Sequence, residues 1–317
     1  MKAGKVAIVG SGLIGRAWAV AFARGGHAVA LYDAQDGAAA AARERMDPML
    51  QDLAAAGLLD GQPVEAVLDR VRLAADLSDA VAEADYVQES SPEVLETKIA
   101  VTAEIAAAAG PETVIASSTS GFVPSAFSEG APGRERCLVA HPINPPYLLP
   151  AVEVVPAPWT APAMVEKACA FLEAVGQATV VMNREIDGFI LNRLQAALMH
   201  EAFRLVDQGY VSARDLDRAL VGGLAPRWSI IGPFETADLN APEGIRQYVE
   251  RYEPLLQRLA ATQKETCSMK AVLDKGLEAE RRALLPQDRI AERQAWRDRH
   301  LMALAAHRKR ATSEIGE

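Results

Sequence analysis

Glu153 lies inside the apolar run Val152–Val155, where an unpaired carboxylate costs several kcal/mol. The nearest candidate partner is His141, which ends the preceding strand-like run Leu138–Ala140. A histidine backed by a carboxylate is a general base held in one tautomer. Two further polar features accompany the pair. Ser117-Ser118-Thr119-Ser120-Gly121 directly follows the apolar run Thr113–Ala116, and Asn192 sits in Gly188-Phe189-Ile190-Leu191-Asn192-Arg193. Each has an ordinary explanation alone: turn chemistry for the hydroxyl cluster, a structural role for the histidine, a plain helix position for Asn192. Glu153 is harder to dismiss, because a buried strand has no use for an unpaired acid.

A second constellation lies near the start of the chain. Gly10-Ser11-Gly12-Leu13-Ile14-Gly15 joins an apolar run, Val6–Val9, to an amphipathic stretch, and Asp33 closes the next apolar run, Ala28–Tyr32. A glycine pattern alone is weak, but strand, turn, helix and acid at this spacing form a dinucleotide-binding unit. Gly10 permits the tight turn, Gly12 lets the backbone approach a pyrophosphate, and Gly15 lets the helix pack close to the strand. The free amides of the helix start, over Leu13 and Ile14, bind the anion. Asp33 would accept hydrogen bonds from a ribose diol and repel a 2′-phosphate. Ala34 and Gln35 follow it with no arginine, so NAD is favoured over NADP. No second flavin signal supports FAD.

These residues need a framework. Val6–Val9, Ala28–Tyr32, Val71–Ala74, Tyr86–Gln88, Thr113–Ala116, Leu138–Ala140, Val152–Val155 and Thr179–Met182 read as strands. Between them lie helical stretches such as Gly15–Arg24, Gly37–Ala56 and Glu96–Ala109. Continuous apolar strands alternating with helices predict an α/β fold, a doubly wound, mostly parallel sheet of the Rossmann type. From Ile190 to Val206 the apolar residues recur at helical spacing, and Ser212 with Asp215 reads as a helix cap. The boundary falls near Arg184–Gly188, giving a dinucleotide-binding domain over residues 1–186 and an all-helical domain over 187–317. The basic tail Arg293–Arg310 carries interspersed acids and reads as a solvated surface helix.

Composition fits this picture. The 317 residues are 50% hydrophobic and 24% charged, enough for two domains with substantial cores. Lys and Arg number 33 against 42 Asp and Glu, a net charge of −9 that disfavours nucleic acid. The three cysteines, Cys137, Cys169 and Cys267, are scattered and suit a reducing cytoplasm better than a disulfide framework. His27, His141, His200, His300 and His307 show no metal-ligand spacing, so no metal site is expected. No apolar run reaches the ~18 residues that span a bilayer, and the N-terminal apolar segment is too short for a signal peptide. The expectation is a soluble cytoplasmic protein without a membrane partner.

Taken together the motifs resemble the L-3-hydroxyacyl-CoA dehydrogenase superfamily, and within it most closely the λ-crystallin (L-gulonate 3-dehydrogenase) branch. The similarity runs through Val9–Arg16, Glu89-Ser90-Ser91-Pro92-Glu93 to Lys98, and Ser118-Thr119-Ser120. It continues in His141-Pro142-Ile143-Asn144-Pro145-Pro146-Tyr147, Gly188–Leu194, Ile231-Gly232-Pro233-Phe234-Glu235-Thr236 and Arg293–Asp298. The resemblance implies that His141 is the acid/base for a secondary hydroxyl, oriented by Glu153, with Ser120 and Asn192 binding the reacting oxygen. It implies that Glu93 and Lys98 contact the NAD riboses and that Asn144 lines the nicotinamide side. Asn192, placed in the second domain, would complete the site only where the two domains meet. The helical domain would also form a homodimer.

The substrate is less determined. Acyl-CoA members of the family use a basic helical hairpin after the second strand to hold CoA. Here Gln35–Leu59 has only Arg43 and Arg45 as cations, against Asp36, Glu44, Asp47 and Asp52. A small free 3-hydroxy acid such as L-gulonate is therefore expected, with Arg227 a candidate carboxylate anchor and Trp228 a packing residue. The alternatives are a 3-hydroxyacyl-CoA (3-hydroxybutyryl-CoA for instance), carnitine, or a non-catalytic crystallin-like NAD-binding protein.

Overall fold

The computed structural model describes residues 3–263 and 266–316. In chain order the first part contains β1 (Lys5–Val9), α1 (Leu13–Arg24), β2 (Ala28–Tyr32), α2 (Ala38–Ala55), α3 (Val64–Leu68), β3 (Val71–Leu73) and α4 (Leu77–Val81). It continues through β4 (Tyr86–Glu89), α5 (Leu95–Ala108), β5 (Val114–Ser117), α6 (Pro124–Ser128), β6 (Cys137–Pro142), β7 (Ala151–Pro156), α7 (Pro162–Ala174) and β8 (Ala178–Val181). The described strands form one eight-stranded sheet in the order β3-β2-β1-β4-β5-β6-β7-β8. The order reverses between β1 and β4, the place where an open α/β sheet forms its ligand crevice.

The inner strands of the sheet are buried on both faces, whereas the outer strands β3 and β8 are largely exposed. Val6 and Ile8 join a core with Trp18, Phe22, Leu31 and Tyr86, while Ala7 and Val9 join a second core with Val87, Ile105 and Ile115. That two-residue alternation between two apolar layers is why these strands read as continuous hydrophobic runs.

The pairing is parallel from β3 to β6, and then β7 runs antiparallel to β6 while β8 follows β7 in parallel. The Ile143–Pro150 connection contains no helix and is too short for a parallel crossover, so the chain reverses. Register places His141 directly opposite Glu153.

Three strands extend past the apolar runs, and in each case a polar residue is paired within the sheet. Glu89 ends β4, Ser117 ends β5, and His141 with Pro142 ends β6. His141 therefore sits within its strand, fixed by its cross-strand partner.

The rest of the chain is helical: α8 (Leu191–Asp207), α9 (Ala213–Ala219), α10 (Ala225–Trp228), α11 (Pro233–Leu239), α12 (Ile245–Thr262), α13 (Met269–Val272), α14 (Glu278–Leu284) and α15 (Ile290–Ile315). Ser212 caps α9, accepting from the Asp215 amide at 3.1 Å. By packing, the compact units divide differently from the expected boundary. Residues up to Asn192 and those from Gln294 onward form one unit, and Arg193–Arg293 form the other. The tail helix belongs to the first unit because it has an apolar face: Met302 is buried, and Leu301, Ala305 and Ala306 pack against the core that contains Met46 and Leu50. Its other face is solvated, as expected. The Arg193–Arg293 unit has little core of its own; among its described residues only Ala213 and Val272 are buried.

Candidate active site

The glycine turn has the geometry its residue types require. Gly10 has φ +94°, and a Cβ there would stand 2.5 Å from the Ser90 carbonyl on the neighbouring strand end. A Cβ on Gly15 would lie 1.8 Å from the Gly10 carbonyl, so α1 can approach β1 only without one. Gly12 differs: a Cβ there meets nothing within 4 Å. Its missing side chain leaves open the space beside the start of α1, where a helix has free amides. Leu13 is exposed beside it, whereas Ile14 packs inward against the core. This cradle fits a dinucleotide pyrophosphate.

Asp33 closes the turn from β2. Its Oδ2 accepts from the Ser11 amide and hydroxyl at 2.7 and 2.8 Å, and its Oδ1 from the Gln35 amide at 3.0 Å. Burial pushes the carboxyl up, but these hydrogen bonds outweigh it and hold the acid below the usual range. Asp33 is thus an ionised acceptor at the end of β2, the position of a ribose-binding acid. Ser11, the variable residue of the turn, anchors it, a role the glycine pattern does not reveal.

The His141–Glu153 pair forms as expected. His141 Nδ1 lies 2.7 Å from Glu153 Oε2, with side chains 7% and 0% exposed. The other carboxylate oxygen, Oε1, accepts from the amides of Ile190 and Leu191 at 2.6 and 2.9 Å. Those amides open α8, whose positive end favours a carboxylate. Burial raises the Glu153 pKa, yet the hydrogen bonds from His141, Leu191 and Ile190 outweigh that and lower it overall. An ionised carboxylate only accepts, so Nδ1 carries the ring proton and Nε2 keeps a lone pair. The ring also meets Phe189, with centroids 5.5 Å apart.

Phe189, which its residue type alone does not mark, is buried against this ring. Gly188 and Phe189 have φ +74° and +49°. A left-handed conformation is costly for a phenylalanine. It turns the chain so that the next two amides face Glu153.

Asn192 follows directly and donates from Nδ2 to the Ser120 carbonyl at 2.8 Å. By packing it groups with the first compact unit. Attachment of the α8 start to Glu153 is the reason. His141, Glu153, Asn192 and Ser120 therefore belong to one unit, joined by a continuous path of hydrogen bonds and adjacent residues.

Glu93 holds the opposite side of the Ser120 loop. Its Oε1 accepts from Thr119 Oγ1 and from the amides of Ser120 and Gly121 at 2.6, 2.9 and 2.8 Å. Burial raises its pKa, and these bonds together with Lys98 bring it below the ordinary value. The Ser120 backbone is thus fixed on both sides, while its hydroxyl makes no hydrogen bond with the described residues and is solvent-facing.

Lys98 is 1% exposed, and its ammonium is 3.0 Å from Glu89 Oε1, 3.1 Å from Glu89 Oε2 and 3.0 Å from the Ser91 carbonyl. It is 3.6 Å from Glu93. Its donors are spent inside the protein, so it acts on the crevice by bracing the β4 end and Glu93. Glu89 also takes Ser117 Oγ at 2.5 Å, tying β4 to β5. Gln88 links the same strands by donating to Ser118 Oγ at 2.7 Å. Gln88 carries no motif signal, whereas Glu89, like Glu153, is an acid buried in a strand.

Asn144 is exposed on the loop after β6, joined to Pro145 by a cis peptide bond. Arg227 and Trp228 lie in α10 of the helical unit; Arg227 is exposed, and Trp228 is 47% exposed, so its packing role is not met within this chain. Burial drives the Cys137 thiol up to about 12, making it an inert core residue. Among the described residues no three His, Cys, Asp or Glu side chains gather as a metal ion would require, and no helix is long and apolar enough to cross a membrane.

Fold and site define an NAD-binding α/β oxidoreductase. Residues 5–186 match the model of the 3-hydroxyacyl-CoA dehydrogenase NAD-binding domain, and residues 188–280 that of the same family's C-terminal domain. The bovine (Bos taurus) λ-crystallin homolog is 41% identical over 95% of both chains. An L-carnitine dehydrogenase of Pseudomonas aeruginosa is 40% identical over 79% of this chain and 77% of its own. Among solved structures, 5-formyl-3-hydroxy-2-methylpyridine-4-carboxylic acid 5-dehydrogenase, an NAD+-dependent dismutase, superimposes with a TM-score of 0.82 at 28% identity, covering 99% of this chain and 100% of that one. The chain belongs to the 3-hydroxyacyl-CoA dehydrogenase family, NAD-dependent enzymes that oxidise hydroxyl groups.

Proposed function

We propose that this enzyme oxidises the 3-hydroxyl of a small free 3-hydroxy acid, of the L-gulonate kind, with His141 as the base. The observation that carries the chemistry is the His141–Glu153 hydrogen bond, which leaves Nε2 ready to accept a proton. Glu153 then faces a developing imidazolium and stabilises it. Ser120 and the second N–H of Asn192 hold the reacting oxygen, with Ser120 kept in place by Glu93. NAD, held by the Gly10–Gly15 turn and Asp33, supplies the hydride acceptor. Lys98 supports the ribose side through Glu93, and Asn144 borders the nicotinamide.

Three points support a free acid over a CoA ester. Arg43, one of two cations after β2, is already committed to the Val71 and Leu68 carbonyls at 2.9 and 3.2 Å. The carnitine dehydrogenase and the pyridine-carboxylic acid dehydrogenase are both named for small acids. In the helical unit Arg227 is exposed and able to anchor a carboxylate.

The same unit supports a homodimer. Leu194, Val221, Ile230, Phe234 and Leu239 are between 62 and 83% exposed, an apolar surface that a second copy would cover. The three free cysteines support a reducing, cytoplasmic setting.

NADH formation from L-gulonate, carnitine, 3-hydroxybutyrate and 3-hydroxybutyryl-CoA tests the reading. Preference for a free acid is expected. Preference for the CoA ester would overturn the substrate class. NADH from none of them, with NAD still bound, would instead favour a crystallin-like, non-catalytic role.

A further inference from the structure

The first compact unit holds a cavity of about 450 Å³ that shares no lining residue with the glycine turn or the His141 site. That size suits a small ligand. It lies between the end of α1, the Pro146–Pro150 loop, the α7–β8 turn and the outer part of α15. Its charge is one-sided: Arg24, Arg308 and Lys309 line it against a single acid, Asp60. Asp60 is engaged by Lys309 at the exposed rim.

Arg24 is the unusual member. It is half-buried, it has no carboxylate partner among the described residues, and its guanidinium donates from Nη1 to the Tyr147 carbonyl at 3.0 Å. Burial lowers its pKa, as expected for a desolvated guanidinium without an acid beside it. The rest of its donor fork is unspent, and such a fork matches phosphate oxygens.

Gln177, 5% exposed, forms part of the same wall. Its Nε2 donates to the Pro146 carbonyl at 3.0 Å, which only accepts and so fixes the amide's orientation. Its Oε1 is left without a donor. An unmet buried acceptor costs about 1–3 kcal/mol, so the wall favours a ligand hydroxyl or N–H able to reach it. Leu58, Leu148, Pro150 and Val175 supply an apolar remainder.

We propose that this cavity is a second ligand site, for a small organic phosphate that carries a hydroxyl or N–H donor and a modest apolar body. A sugar phosphate and a nucleoside monophosphate share that chemistry. The site bears on the enzyme through one loop. Arg24 and Gln177 hold the backbone of Tyr147 and Pro146, and the same loop carries Asn144 and leaves β6 at Pro142, one residue after His141. A ligand that engages Arg24 and Gln177 therefore braces the loop that carries Asn144 and follows the strand of the proposed base, without entering the dinucleotide turn.

Calorimetric titration of the NADH-saturated protein with glycerol 3-phosphate, AMP and inorganic phosphate tests this, the bound NADH keeping AMP out of the dinucleotide turn. At least one organic phosphate is expected to bind, with Kd raised about tenfold or more by Arg308→Glu on the exposed helix face. Binding of glycerol 3-phosphate identifies the sugar-phosphate source, and binding of AMP the nucleotide source. Inorganic phosphate binding as tightly as either would overturn the organic ligand class. No binding by any probe, or binding indifferent to both Arg308→Glu and Arg24→Lys, would overturn the site. None of these readouts depends on which hydroxy acid is oxidised.

Discussion

His141 and Glu153 are directly opposed in the antiparallel β6–β7 register, and their side chains meet at 2.7 Å. The second oxygen of Glu153 receives the first amides of α8, the helix that carries Asn192. One carboxylate therefore orients the ring and seats the residue that holds the Ser120 loop. Its placement inside an apolar strand costs solvation, and three hydrogen bonds offset that cost.

Glu153→Gln separates the charge from the shape. A glutamine has one accepting and one donating end. If its oxygen takes the α8 amides, its NH2 faces His141 Nδ1, which must then accept, and the ring proton moves to Nε2. The base loses its lone pair. A fall in kcat of about 10²–10⁴ is expected, with the Kd for NAD unchanged. Normal turnover would show that the ring needs no carboxylate behind it.

The same residue predicts a pH effect on stability. The folded Glu153 pKa lies below its ordinary value of 4.5, because the hydrogen bonds it receives exceed the opposing effect of burial. A depressed carboxylate pKa adds stability that is complete above the unfolded value and lost as pH falls through the folded one. The Tm gap between wild type and Glu153→Gln should therefore be widest near neutrality and narrow below about pH 4.5. Parallel Tm curves down to about pH 3 would contradict the depressed pKa.

Lys98 and Glu89 form a pair in which both side chains are 1% exposed. Removing one partner leaves a buried charge, so Lys98→Met should cost about 3–5 kcal/mol in denaturant unfolding. Changing both, as Lys98→Met with Glu89→Leu, should recover part of that loss. If Lys98→Met unfolds like wild type while NAD binds more weakly, the ammonium contacts the cofactor directly and the bracing role is wrong.

Much of this arrangement can be read from the chain, for definable reasons. Eight apolar runs located the strands because inner strands buried on both faces are apolar at most positions. Glu153 stood out because it breaks one of those runs, and glycines reveal themselves where only hydrogen fits. Hydrogen bonds between distant side chains leave no such trace. Ser11 with Asp33, Glu93 with the Ser120 amides, and Glu89 with Ser117 are 22 to 28 residues apart and follow from strand order, which periodicity does not contain. The return of α15 to the first unit escaped for a similar reason: its apolar face is narrow, with Met302 alone fully buried on it.

Gly12 and Gly15 offer a paired test of the turn, because the same added methyl meets opposite surroundings. At Gly15 it would stand 1.8 Å from the Gly10 carbonyl, which is backbone and cannot turn aside. Gly15→Ala should therefore push α1 off β1 and destabilise the protein by about 3 kcal/mol, read as a drop in denaturant midpoint. At Gly12 the methyl meets no protein atom within 4 Å, and the backbone has φ −60°, open to any residue. Gly12→Ala should keep its stability to within about 1 kcal/mol, while the Kd for NAD rises about tenfold or more. Unchanged NAD affinity in Gly12→Ala would mean that the pyrophosphate does not approach this backbone. Unchanged stability in Gly15→Ala would mean that α1 and β1 tolerate a wider separation than their packing around Ile8 implies.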